Sequence, residues 1–489
     1  MPETVASSRS SAQTHGDRSL GFTTMKEEVR VDSVDVEGTL PDWLSGRLIR
    51  LTPALLDYET ATSTKEMGHW FDGLAMLNCF TIGPGKVGYA SRFLESEAYA
   101  SVRDKKESRY DVTFGTDPCR ILGRRMMSVF DDKGGTDNTN INVTKVGERY
   151  MALTENRAPM EFDPETLQTY GPIHFDSDVP GQFGPLGHPH GDESGAMIGF
   201  FTQVGRKSSY RVHIWEPGTN SRREIARIPF KGAPRYMHSF AMTEKYIVLT
   251  AQPLHMRLAR IMRTGKIMDG LDWDPQGRTE FLVVDRRNGR LVGRYESEPF
   301  FFFHHANAYD DGHDIVIDVV AMNDAASVWS LETAKLRDPD HKPRFYGELR
   351  RYRVSMTTGK VTVETLSDAH LEFPQINYGK VNGRPYQYVY GTAYRTPDSA
   401  WFDELVKIDV TTGSSVRWSE DGCFPGEPVF VRQPGEDGED TGVVLSVVLD
   451  TKAGKSFLLA LDANGFKELA RAHAPHHIGF NFHGNFFRD

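Results

Sequence analysis

Four histidines in this 489-residue chain lie in runs where an unpaired imidazole is costly. They are His188 in GPLGHPHGD, His238 in RYMHSFAM, His304 in FFFHHANAY and His483 in GFNFHGNFF. The last three are flanked by aromatic or aliphatic residues, so a buried ring nitrogen there must find a partner. Taken singly, each reads first as a core histidine bonded to a backbone carbonyl. Four such contexts among 17 histidines point to a metal instead, since imidazole is the commonest metal ligand. The steps of 50, 66 and 179 residues between them exclude a local zinc motif such as HExxH. The fold must bring the rings together.

Neutral imidazoles leave the charge of a divalent cation uncompensated. Carboxylates that accept the second ring N–H orient such ligands and offset that charge. Glu155 in YMALTEN, Glu372 in HLEFPQINY and Glu427 in PGEPVFV stand in otherwise apolar runs and are the candidates. Each alone also reads as a surface residue.

The elements that would position these groups are strands. Short apolar runs alternate with turn signals, and a unit of the form run, D-x-x-(T/N)-G, run recurs. It is clearest in FLVVDRRNGRLVGRYE (281–296), where Asn288-Gly289 reads as a hairpin turn needing positive φ. Copies occur at 352–366, 405–420 and 458–472, and looser ones at 160–175 and 213–228. Such repetition fits a β-propeller, with a large sandwich as the alternative. In a propeller the inner strands of successive blades face one axis, so histidines distant in sequence converge on an axial metal. The segment 254–275 is the one helical-looking insertion, and RQPGEDGEDTG (432–442) reads as a surface loop. Residues 1–24 read as a disordered polar leader and 25–489 as a single domain.

Composition narrows the function. A net charge of −10 argues against nucleic-acid binding. Three cysteines (Cys79, Cys119 and Cys423) without CxxC spacing exclude a disulfide framework and a thiolate zinc site, and suit a reducing cytoplasm. No run approaches the roughly 20 apolar residues of a membrane span, and the N-terminus has no secretory pattern.

The segments HWFDGLAML, TDPC, NRAPMEFDPETL, HPHGD, RYMHSFAMTEKYIVL, HHANAYDDG, LEFPQINY, GEPVFV, DTGVVLSVVLD and FHGNFF together resemble the carotenoid cleavage oxygenases. The likeness runs from about residue 25 to the end, and is greatest for the branch of animal β-carotene oxygenases and the retinoid isomerase. It implies a seven-bladed propeller with a helical and loop cap over an axial metal site. By the same resemblance Fe(II) is held by His188, His238, His304 and His483, with His190 and His305 not ligands. Glu155 would bond His238, Glu372 His304 and Glu427 His483, leaving His188 without a carboxylate.

The reaction so implied is O₂-dependent cleavage of a C=C bond in a carotenoid or apocarotenoid to aldehydes, with central cleavage to retinal as the specific form. No side chain beyond the metal centre is expected to be catalytic. Tyr236, Phe303 and Phe482, each within two positions of a ligand, would line a substrate tunnel or serve as ordinary core. A membrane-borne substrate implies contact with a bilayer surface through 113–130 or 254–268, both mixing apolar and basic residues; either also reads as a cap helix with a solvated basic face. No obligate protein partner is implied. The alternatives are a lignostilbene-type dioxygenase on the same iron site, an isomerase, and a propeller that serves only as a binding platform.

Overall fold

Strands such as Asp314–Met322 (DIVIDVVAM) and Gly442–Asp450 (GVVLSVVLD) are buried on both faces along almost their whole length. Continuous β-branched and aliphatic runs of this kind belong inside a stack of sheets, whereas a strand with one wet face alternates. The structure, a computed structural model, describes residues 17–60, 62–104, 112–117, 136–155, 159–181, 183–184, 187–343 and 345–489. Among these residues the stacked sheets form seven blades.

Blade 1 is built from Arg30–Val31, Gly46–Leu55, Leu74–Gly83, Lys86–Phe93 and the C-terminal Gly484–Phe487. Blades 2, 3 and 4 are meanders over residues 142–172, 190–229 and 241–297. Blades 5 and 6 share one long strand, Val361–Gln375. Its first half pairs with Glu348–Ser355 and its second half with Tyr388–Ala393. Blade 7 runs over 423–473 and takes Val36–Gly38 as its outer strand. Both chain ends therefore close the ring, with Ile49 opposite Asn485 and Val36 opposite Ala472.

Apolar wedges join neighbouring blades. Between blades 4 and 5, Val248, Phe281 and Val283 meet Ile315, Ile317 and Val319. Between blades 7 and 1, Val443, Leu445 and Leu458 meet Leu48, Phe80 and Val87. Each such side chain contributes about 1.5–3 kcal/mol when fully buried. These wedges hold the blades, and hence their inner strands, in fixed orientation about the axis.

All six expected hairpins are present. In the first, Thr279–Asp285 pairs with Leu291–Ser297. Of the Asn288-Gly289 pair only Gly289 has positive φ (69°), because the turn is longer than the dipeptide: Gly289 N–H donates to Asp285 O at 2.9 Å, and the Asp285 carboxylate accepts from Arg287 N–H at 2.8 Å. Gly359 and Gly413 repeat this geometry at φ 75°. Leu167 and Phe466 occupy the same left-handed position without being glycine.

The cap is one large apolar cluster, which includes Trp70, Phe114, Met256, Ile261, Met268, Leu331, Trp401 and Phe480. The insertion expected at 254–275 forms the hairpin Leu254–Met256 with Leu271–Trp273, carrying helices Leu258–Thr264 and Ile267–Gly270. Further short helices at Glu97–Arg103, Ala326–Ser330 and Thr333–Arg337 were not apparent in the sequence, being too short for a helical period to show.

The polar leader expected over 1–24 does not extend through residue 24. From Asp17 the chain is packed into the cap: Arg18 is buried and donates to Ala400 O at 2.7 Å and Asp338 O at 2.8 Å, while the Phe22 ring lies 5.1 Å from Trp401 and 4.9 Å from Phe480. A short-range reading of polar residues misses these long-range partners. No helix of the described residues is long and apolar enough to cross a membrane. Beyond Asp117 the segment 113–130, with Cys119, lies outside the described residues.

A Cβ at Gly289 would sit 1.7 Å from Ile225 O of blade 3, whereas at Gly359 it meets nothing within 4 Å. Gly359→Ala is expected to cost only the positive-φ penalty of about 1 kcal/mol, and Gly289→Ala at least about twice that. Urea midpoints read the difference; equal shifts would contradict the inter-blade contact.

Candidate metal centre

Each blade carries one candidate residue, in or near its innermost strand except in blade 2, where Glu155 lies just past the second strand, Arg149–Leu153. His483, His188, His238 and His304 come from blades 1, 3, 4 and 5, and Glu155, Glu372 and Glu427 from blades 2, 6 and 7. One ligand atom from each of the four histidines lies within 4.8 Å of the others. His238, His304 and His483 are buried, and His188 is half-buried.

Three of the rings are oriented from behind. Nδ1–H of His238 donates to Glu155 Oε1 at 2.5 Å, that of His304 to Glu372 Oε2 at 2.5 Å, and that of His483 to Glu427 Oε1 at 2.6 Å. Fixing the proton on Nδ1 leaves Nε2 as a bare lone pair. The bare Nε2 atoms of His304 and His483 then face each other at 3.1 Å, and Nε2 of His188 lies 3.0 Å from that of His238. Burial pushes His483 down to about 4 and His188 well below the usual imidazole range, so both rings are neutral near pH 7. Converging neutral lone pairs repel unless a cation lies among them. A separation of about 3 Å is also the edge between adjacent ligands when metal–nitrogen bonds are about 2.1 Å. The donor set therefore fits a divalent metal ion.

The three acids are held differently. Glu155 Oε1 also accepts from the Tyr236 hydroxyl at 2.8 Å, and burial together with that carboxylate pushes the phenol well above its usual range. Of Tyr236, read from the sequence as tunnel lining or ordinary core, the hydroxyl is bonded to Glu155 while the ring packs in the cap. Glu372 Oε2 accepts from the N–H of Phe373 at 2.7 Å, where a positive φ of 53° marks a bulge in the strand. Glu427 is the most heavily bonded, accepting from Arg50 at 2.5 Å, Gln375 at 2.8 Å and Gly484 N–H at 3.2 Å in addition to His483. Burial alone would raise its carboxyl, but His483, Arg50 and Gln375 outweigh it and lower it to about 2.

The neighbouring histidines are satisfied elsewhere. His190 pairs with Phe240 O at 3.0 Å and the Tyr378 hydroxyl at 3.1 Å. His305 pairs with Ser239 Oγ at 2.8 Å and Thr250 Oγ1 at 2.9 Å, and burial lowers it to about 3.

The cap side of the site is aromatic. The Phe303 ring lies 5.4 Å from His238, and Phe482 packs on Trp70 at 4.3 Å. Phe373, 5.5 Å from His304 and 5.2 Å from His483, was not singled out from the sequence; its place in LEFPQINY beside Glu372 was the available signal. Phe373 also walls a small cavity with Trp70, Trp401, Phe402, Phe424 and Phe480, which Glu427 and Asn481 line as well. Arg50 was missed as well, although an arginine inside the apolar run GRLIRLTPAL is unusual enough to mark it.

Residues 22–488 match the family described as retinal pigment epithelial membrane protein. The chain is similar to the mitochondrial carotenoid-cleaving dioxygenase of Macaca fascicularis, at 33% identity over 95% of this chain and 93% of that protein. It is also similar to the β,β-carotene 15,15'-dioxygenase of Mus musculus, at 32% identity over 95% and 90% of the two chains. The carotenoid isomerooxygenase of Galleria mellonella is 30% identical over 92% of each. Among solved structures, cobalt-substituted Synechocystis apocarotenoid oxygenase matches with a TM-score of 0.84 at 25% identity, over 97% of this chain and 98% of that one.

The geometry separates the four clustered histidines from His190 and His305. With cobalt(II) supplied, His238→Ala is expected to lose the bound metal, whereas His305→Gln keeps one metal per chain. Metal analysis of the purified variants checks this; retention by His238→Ala would remove the assignment.

Proposed function

The chain belongs to the carotenoid oxygenase family described as retinal pigment epithelial membrane protein, and from that premise we propose an Fe(II)-dependent dioxygenase that cleaves a carotenoid or apocarotenoid. The observation that carries this reading is the cluster of four imidazoles, three of them backed by carboxylates, beneath an aromatic cap. His188, His238, His304 and His483 would hold the iron, and Glu155, Glu372 and Glu427 would orient three of them. When bound, such an iron supplies O₂ activation for scission of one C=C bond into two carbonyl products.

The side chains of this protein have the task of placement. Phe303 and Phe373 offer flat apolar faces beside the imidazoles, with Phe482 packed on Trp70 in the cap, suited to align a rigid polyene and exclude water. Tyr236 is spent on Glu155, so it is assigned no proton transfer to substrate. Central cleavage of a C40 carotenoid to retinal is the specific form proposed, supported by likeness to a relative named β,β-carotene 15,15'-dioxygenase.

A polyene of that length resides in membrane, and a peripheral docking face is part of the proposal. In the insertion over 254–270, Arg257 and Arg260 are exposed beside half-buried Leu258 and Met262, while Ile261 and Met268 point into the cap. This mixture suits the plane of a bilayer interface.

Purified protein is expected to contain about one iron per chain and to convert β-carotene or an apocarotenal to aldehydes identifiable by mass. Glu155→Gln and Glu372→Gln should each lower iron affinity or turnover about 10–100-fold. Inactivity on every carotenoid tested, with efficient cleavage of hydroxystilbenes, would move the substrate to phenolic stilbenes. Undiminished activity of both variants would remove the outer-shell assignment.

A further inference from the structure

Arg50 is fully buried and lies on the blade 1 strand directly opposite Gly484, next to His483. Its Nη1 donates to Glu427 Oε2 at 2.5 Å, and its Nη2 to Asn481 Oδ1 and Phe482 O, each at 2.6 Å. A Cβ at residue 484 would come within 2.6 Å of Arg50 Cδ, so the glycine makes room for this side chain. A buried guanidinium is expensive to desolvate, and the site supplies one carboxylate to meet it. Among the described residues, no cationic side chain is hydrogen-bonded to Glu155 or Glu372.

The three carboxylates bonded to the imidazoles and the guanidinium bonded to one of those carboxylates together carry, among the described residues, a formal charge of −2. A divalent metal on neutral imidazoles makes this shell electroneutral, and a trivalent one leaves it at +1. In a medium of low dielectric, a whole uncompensated charge is a large effect. We propose that Arg50 is a positioning residue whose charge, relayed through Glu427 and His483, keeps bound iron in its divalent state. This rests on the metal-centre reading above. It adds a role that hydrogen bonding alone would not give the arginine: without it the same three acids would favour Fe(III).

The test is a redox titration of iron-loaded protein with dithionite and ferricyanide, reading high-spin Fe(III) by electron paramagnetic resonance. Each oxidation moves one electron from Fe(II) to ferricyanide, which becomes ferrocyanide. Arg50→Met leaves a shell of −3 and should raise the Fe(III)/Fe(II) ratio at fixed potential by about tenfold, which is about 59 mV for one electron. Glu427→Gln leaves −1 and should lower the ratio by about tenfold. The double variant Arg50→Met with Glu427→Gln returns to −2 and should lie within about threefold of the parent.

A purely structural arginine would make both single variants shift the same way and leave the double variant no better, which would overturn the proposal. The double variant has no buried charge unpaired, so it carries the test where a single variant does not fold; a ratio more than tenfold from the parent, or lost iron, counts against Arg50. Parent protein that binds no iron at these histidines sinks the metal centre and this role together. Iron binding without opposite shifts sinks the role of Arg50 alone.

Discussion

An imidazole whose Nδ1–H is committed to a carboxylate has only a bare lone pair to offer at Nε2. In this protein three imidazoles are committed in that way, and a fourth joins them with all four ligand atoms within 4.8 Å. The arrangement is unfavourable without a cation and tight with one. Much of the surrounding structure serves to hold those rings against their own repulsion: the acids behind them, the hydrogen bonds behind the acids, and the wedges that fix each blade.

Each of the seven blades contributes one residue to the site. Four bring histidines and three bring glutamates, so the candidate ligands and the acids behind them are divided around the ring. Closure of blade 1 by Gly484–Phe487 places His483 beside Arg50 and Glu427, joining the two ends of the chain to the metal site. The aromatic cap then covers this polar centre, and the Tyr236 hydroxyl within it is bonded to Glu155.

The hairpins were legible in the sequence because each turn has a local cause. An acid at the start of the turn accepts from backbone N–H groups two or three residues on, as Asp285, Asp409 and Asp163 do, and a left-handed residue follows. The clustering of the four histidines was legible because an imidazole in a buried run is costly, and three of the four stand among aromatic or aliphatic residues. The pairing of each acid with its ring came only from the family resemblance, since Glu427 and His483 are 56 residues apart and nothing local links them. Arg50, Phe373 and the hydroxyl of Tyr236 acquire their roles through contacts between distant segments, which hydrophobic patterning does not encode. The same limit explains Arg18 and Phe22: a polar-looking N-terminal stretch gives no sign that its partners are at residues 338, 400, 401 and 480.

The most direct measurement of the central claim is X-ray absorption at the iron edge of the purified, reduced protein. The expected spectrum shows four imidazole nitrogens at about 2.1 Å, with the multiple-scattering pattern of coordinated rings and no sulfur or protein carboxylate bound to the metal. A first shell containing sulfur, or one in which Glu155, Glu372 or Glu427 replaces an imidazole, would contradict the division between ligating rings and supporting acids on which the account depends.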